Sequence, residues 1–192
     1  MNHFNRGLST LRKGRVSVSG ARYFVSVNIA DRSRNIATAE VWNEFQEKAS
    51  ALREAGMIDD YAWVLMPDHF HGDFVLKEKT LGTVLKRLKG GLVPILRKMR
   101  VGWQDGYHDH RLRPEEELAP YLRYMLANPY RKNLLPRSEI WPLWWLAPEV
   151  GEWFLPLTDH GRPHREWLEQ RKPWEDCGEG GAKMNGVTDL PR

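Results

Sequence analysis

YAWVLMPDHFHGDFVL, residues 61–76, is two apolar runs separated by Pro67 and Asp68, residue types typical of turns. The sequence predicts an antiparallel hairpin over residues 61–66 and 69–76. On its second strand His69, Phe70 and His71 alternate, so both imidazoles share one face while Phe70 points the other way, toward a helix layer. Two imidazoles about 7 Å apart at their Cα atoms, twice the strand rise, can converge on one divalent ion. Asp73 continues that face as an outer partner. A His-x-His pair taken alone is a weak signal, because most such pairs are surface histidines.

Upstream, ARYFVSVNI (residues 21–29) is rich in aromatic and β-branched residues and reads as a strand. Residues 37–55 carry Val41, Trp42, Phe45, Ala49 and Leu52 at helical spacing, with Gly56 as a stop. Downstream, residues 80–100 form a basic helical region in which Gly90, Gly91 and Pro94 argue for a break or kink near the middle. WQDGYHDHRLR (residues 103–113) reads as a loop and short strand. In EEELAPYLRYMLAN (residues 115–128), Leu118, Tyr121, Leu122, Met125 and Leu126 line one helical face, Pro120 fits a first turn, and Pro129 pushes Asn128 toward the helix end. The order β-α-β-β-α-β-α predicts an α+β fold, an antiparallel sheet with helices on one face. Past Leu135 the proline-rich WPLWWLAP and GEWFLPL predict an extended cap. The expected domain is residues 1–156, with a basic segment at 1–20. Residues 157–192 form an extension, disordered from about 175, where EDCGEGGAKMNG has too little apolar surface to order itself.

The 192 residues, 41% hydrophobic and 28% charged, match one globular core. No apolar run approaches the roughly 20 residues of a membrane helix, and the first residues lack the apolar core of a signal peptide. Membrane spanning and secretion are not expected. Cys177 is the only cysteine, which excludes an internal disulfide or a thiolate metal site and makes a reduced, cytoplasmic setting the default. The net charge of +4 is blocky. Residues 1–34 hold seven Lys/Arg against Asp31 alone, residues 35–76 two against eight acids, and residues 77–100 eight against Glu78 alone. Two basic stretches around an acidic one attract a polyanion, although Lys86, Arg87 and Lys89 also fit a solvated helix face.

Tyr124 and Asn128 stand at i and i+4, so a phenol and an amide lie on one side of a helix about one turn apart. A tyrosine can act as a nucleophile, but with an ordinary pKa near 10 it needs electrostatic help to attack as phenolate. Tyr121 lies near the same face, and periodicity alone does not exclude it.

MPDHFHGDFVL, WQDGYHDHRLR and YLRYMLANPYRKNLL, in this order and spacing, resemble the REP-associated tyrosine transposases, relatives of the insertion-sequence transposases that use a single tyrosine. The resemblance spans roughly residues 15–146. It implies a ferredoxin-like sheet with a His-hydrophobic-His (HUH) motif on a central strand. It places His69 and His71 on the metal ligands, Asn128 on the polar residue that completes the metal site, and Tyr124 on the nucleophile. The implied activity is nicking and joining of single-stranded DNA near hairpins through a 5′-phosphotyrosine, with Mg²⁺ or Mn²⁺ as cofactor. Arg12, Lys13, Arg15, Arg22, Lys86, Arg87 and Lys89 then become candidate phosphate contacts. Trp141, Trp144 and Trp145 fit core cover better than a base-stacking platform. Two departures stand out: Gly72-Asp73 replaces the family's usual aliphatic residues, and Tyr130-Arg131-Lys132-Asn133 replaces its Val-Arg-Ala-Gly. Asn133 can still take the left-handed conformation that glycine supplies at a helix end. The competing expectations are a non-catalytic hairpin-DNA-binding or regulatory protein that retains the fold, and a metal hydrolase acting on a small phosphate ester. Whether the chain is a monomer or a homodimer is left open.

Overall fold

The computed structural model describes residues 16–175. Arg12, Lys13 and Arg15 lie outside the described residues, as do residues 176–192 of the expected disordered tail. The elements run β1 (Arg22–Asn28), α1 (Ala39–Glu54), β2 (Ile58–Leu65), β3 (His69–Leu76), α2 (Leu81–Lys98), β4 (His108–Arg111), α3 (Ala119–Arg131), β5 (Trp144–Leu146) and α4 (Pro148–Phe154). One five-stranded antiparallel sheet has the order β4-β1-β3-β2-β5. Its first four strands have the ferredoxin-like arrangement, and β5 adds an edge beyond β2. The predicted hairpin is β2 and β3, so His69, Phe70 and His71 lie on the central strand.

The two long helices share one face of the sheet, against Phe70. Phe45 of α1 packs edge-on to Phe70 and Trp63, while Trp63 stacks on Phe74. Val84, Leu85, Leu88 and Leu92 of α2 complete this core. Each helix opens on a threonine: Thr38 Oγ1 accepts from Val41 N and Thr80 Oγ1 from Thr83 N, both at 3.2 Å. The opposite face, where the histidines lie, is covered as well. Tyr121, Leu122, Met125 and Leu126 of α3 pack there on Phe24, Ala62 and Val64 with Val150 and Phe154 of α4. A helix layer therefore stands on each side. The sequence predicts helices on one face alone; α3 and α4 cover the histidine face too, and His69, His71 and Asp73 are buried.

Three elements differ from expectation. The basic helix α2 runs unbroken through Gly90, Gly91 and Pro94. Its buried stripe from Leu81 to Leu96 outweighs the single lost hydrogen bond, and Gly91 lets the Lys48 stem of α1 pass within 2.9 Å of where a Cβ would stand. Helix α3 continues past Asn128 and Pro129 to Arg131, held by the buried side chains of Ala127 through Tyr130. Lys132 caps it and Asn133 follows at φ 53°, the left-handed turn that the sequence allowed for. The segment after Leu135 contains β5, which pairs with β2 through Ala62–Leu146, Trp63–Trp145 and Val64–Trp144. Beyond residue 157 the extension folds back: Trp167 is buried, and the Arg123 guanidinium of α3 lies 5.3 Å from its ring. No helix among the described residues is long and apolar enough to cross a membrane.

Candidate active site

Strand parity brings His69 and His71 to one face, and α3 crosses that face with Tyr124 and Asn128 one turn apart. His69 Nε2 and His71 Nε2 stand 2.9 Å apart, and the Asn128 amide Nδ2 donates to His71 Nε2 at 2.8 Å. The Tyr124 ring meets His71 edge-on at 5.5 Å between centroids, and His71 stacks on Phe24 at 5.2 Å. All four residues singled out on these two elements are therefore neighbours. Tyr121, by contrast, is 2% exposed and its hydroxyl donates to Glu116 Oε1 at 3.1 Å. Tyr124 is half-buried at the edge of the same face.

The electrostatics suit a cation. His69 Nδ1 donates to Asp68 Oδ1 at 2.6 Å, which turns its Nε2 lone pair toward His71. Asp68 is held well below the usual carboxylate range, chiefly by that bond and further by Arg32, whose Nε and Nη2 both stand 2.6 Å from Oδ2. Burial pushes His71 well below the ordinary histidine value, and any positive charge on His69 would push it the same way, so its ring is neutral as a ligand must be. Two ring nitrogens at 2.9 Å share either a proton or a metal ion. Among the described residues, no group of three or more His, Cys, Asp or Glu side chains could hold an ion, and the further polar side chain that touches His71 Nε2 is the Asn128 amide. Turned about its last bond, that amide presents Oδ1 where Nδ2 now points. The donor set thus fits a divalent ion bound by two imidazoles and one amide oxygen.

Asp73, the expected outer partner, does not reach the histidines. It is fully buried with neither oxygen hydrogen-bonded, its nearest cation is Arg22 Nε at 3.7 Å, and burial raises its carboxyl to about 7. Arg22 lies on the same face, its guanidinium 4.4 Å from the Tyr61 ring centroid. The α2 cations are elsewhere: Lys86, Arg87 and Lys89 belong to the helix on the other face of the sheet. Lys86 and Arg87 are exposed, whereas Lys89 Nζ donates to the carbonyls of Gln104 and Gly106 at 2.9 and 3.3 Å. The tryptophans act as cover: Trp141 Nε1 donates to Leu65 O, Trp145 lies under Arg53, and Trp144 packs on Phe154.

Sequence reasoning missed four groups at the site. Asp68 was legible only as a turn residue, although its place directly before a strand histidine is a usable signal. Arg32 reaches it from 36 residues away in the chain. Arg131 stands seven residues after Tyr124 with its guanidinium 5.4 Å from the Tyr124 ring, a spacing that two helical turns allow. Trp174 comes from the extension to lie 5.0 Å from Tyr124 and 4.9 Å from Phe24, and nothing in its local sequence announces that.

The fold is that of a REP-associated tyrosine transposase solved with a bound REP hairpin. The two structures agree with a TM-score of 0.64 over 79% of this chain and 95% of that one, at 18% identity. A candidate transposase from Deinococcus radiodurans R1 gives a TM-score of 0.41 at 18% identity, over 54% of this chain and 87% of that chain. No protein-family model and no curated protein sequence matches the chain.

Proposed function

We propose that this chain is a tyrosine transposase: a metal-dependent, single-strand DNA endonuclease and strand transferase that works beside DNA hairpins and resides in the cytoplasm. The observation that carries the proposal is the meeting of His69 Nε2, His71 Nε2 and the Asn128 amide, with Tyr124 alongside, on the fold of a transposase that holds a REP hairpin. A divalent ion, Mg²⁺ or Mn²⁺, held by His69, His71 and Asn128 would polarise the scissile phosphate and offset its developing charge. Asp68 fixes the orientation of His69, and Phe24 backs the His71 ring.

Tyr124 is the nucleophile. Its oxygen forms a bond to phosphorus while the bond from phosphorus to the 3′ oxygen breaks. The phenol gives up its proton, the departing 3′ oxygen takes one up, and the products are a 5′-phosphotyrosine and a free 3′-hydroxyl. Attack by another 3′-hydroxyl reverses the step and joins DNA, so the phosphodiester energy is kept. Arg131 supplies positive charge where the anionic phosphate must approach Tyr124.

Denaturing electrophoresis with labelled single-stranded hairpin DNA and Mg²⁺ or Mn²⁺ tests this reading. The wild-type chain should carry label through denaturation. The double variant His69→Ala, His71→Ala should lose cleavage while hairpin binding stays within a few-fold, because phosphate contacts dominate affinity. Undiminished cleavage by that variant would sink the assignment.

A further inference from the structure

A line of contacts runs from solvent to the histidine pair, and it begins in the loop between β1 and α1, residues 29–38. The Arg32 side chain, 58% exposed, brings Nε and Nη2 to 2.6 Å from Asp68 Oδ2, while Asp68 Oδ1 accepts from His69 Nδ1 at 2.6 Å. The His69 side chain is only 7% exposed. The loop is pinned on both sides of Arg32. Ile29 N donates to Asp68 O at 3.0 Å and Ile36 N to Pro67 O at 2.8 Å, which ties both ends to the β2–β3 turn. Between them Asp31 Oδ1 accepts from Ser33 N and Ser33 Oγ, and Arg34 Nη2 donates to Met99 O. The backbone thus delivers the Arg32 guanidinium to Asp68, and these other bonds hold the turn in place without it.

An ion pair this exposed adds little to stability, so the pair calls for a different account. A carboxylate in a turn rotates about its last bond, and one bond to an imidazole does not by itself stop that rotation. Two guanidinium N–H groups on Oδ2 leave Oδ1 facing His69 Nδ1. The His69 proton is then kept on Nδ1 and its lone pair on Nε2, which faces His71 Nε2 at 2.9 Å. That is the tautomer in which His69 meets a cation beside His71.

On the metal-dependent reading given above, we infer that Arg32 is a positioning residue of the metal site: it acts through Asp68 to hold His69 in the tautomer and orientation of a ligand. Arg32 touches neither the ion nor the DNA. The β1–α1 loop thereby sets how tightly the histidine face takes a divalent ion. Charge alone argues the opposite way, since removing a cation near a cation site tightens metal binding by Coulomb's law. The two effects differ in sign, so a measured affinity separates them.

Two measurements on the full, DNA-free chain test this, with Arg32→Ala and Arg32→Lys beside wild type. The first is a Mn²⁺ titration, read from the electron paramagnetic resonance signal of unbound Mn²⁺. Arg32→Ala should bind Mn²⁺ about tenfold more weakly. Arg32→Lys, a point charge in place of the fork, should fall between it and wild type. The second is nitrogen–proton NMR of the imidazoles without metal. His69 should carry its proton on Nδ1 in wild type and show both tautomers in Arg32→Ala. Unchanged or tighter Mn²⁺ binding by Arg32→Ala overturns the inference and leaves the ligand set and the tyrosine assignment standing. Weaker binding with an unchanged His69 tautomer overturns the route through Asp68. Weaker hairpin binding in buffer free of divalent ions, with Mn²⁺ affinity unchanged, would make Arg32 a phosphate contact and overturn the inference as well. A wild-type chain that binds no Mn²⁺ overturns the ligand set and this inference together.

Discussion

Gly72 stands where the resemblance leads one to expect an aliphatic side chain, and its neighbour accounts for the change. It pairs across the sheet with Trp63, whose ring occupies the space a Cβ would need. Trp63 cannot step aside: its Nε1 donates to the buried Asp60 at 2.7 Å, and Phe45, Phe70 and Phe74 surround it. Gly72→Ala should therefore destabilise the chain by about 1–3 kcal/mol, the usual cost of overpacking, and urea unfolding measures it. A Gly72→Ala chain as stable as wild type would mean that Trp63 has room to move. The two tyrosines of α3 separate on the same scale. Tyr121→Phe removes the bond to Glu116 and should cost about 1 kcal/mol while keeping adduct formation. His69, His71, Tyr124 and Asn128 were legible because two residues on a strand and four on a helix return a side chain to the same face. Asp68 was not, because an aspartate in a turn has an ordinary local explanation that hides its bond to His69.

At the level of elements, propensity misled where packing decided. Gly90, Gly91 and Pro94 are weak helix formers, yet α2 keeps its course because seven apolar side chains along it are buried. The two glycines differ in what surrounds them. A Cβ at Gly90 meets nothing within 4 Å, whereas one at Gly91 meets the Lys48 stem. Gly90→Ala should raise stability by about 0.5–1 kcal/mol, and Gly91→Ala should gain clearly less, as read from their thermal midpoints. Equal gains would show that α1 and α2 do not approach as closely as described. Strand β5 was hidden for a different reason. It is three residues long and flanked by Pro142 and Pro148, and only its pairing with β2 makes it a strand. Conversely, Asn133 was readable as a left-handed helix end, since few residues other than glycine tolerate that turn.

Across the whole molecule the sheet separates two surfaces: α3 and the histidine pair on one face, the basic helix α2 on the other. Blocks of charge along the chain do not show this separation, because strand and helix order decide where each block lands. Lys86 and Arg87 remain exposed to any DNA that reaches α2, and Lys89 is committed to loop carbonyls. Neutralising Lys86 and Arg87 should weaken binding to every DNA sequence alike and flatten its salt dependence by about 0.7 per lost single-strand contact, while sequence preference survives. An unchanged salt slope would leave them as a solvated face. The central claim concerns the one hydroxyl that attacks DNA. Peptide mapping of the DNA-linked chain, with Tyr124→Phe beside wild type, tests it most directly. The account predicts the nucleotide on Tyr124, and a folded, DNA-binding Tyr124→Phe chain that forms no adduct. An adduct on Tyr121, Tyr107 or Tyr130, or one that persists in Tyr124→Phe, would contradict it.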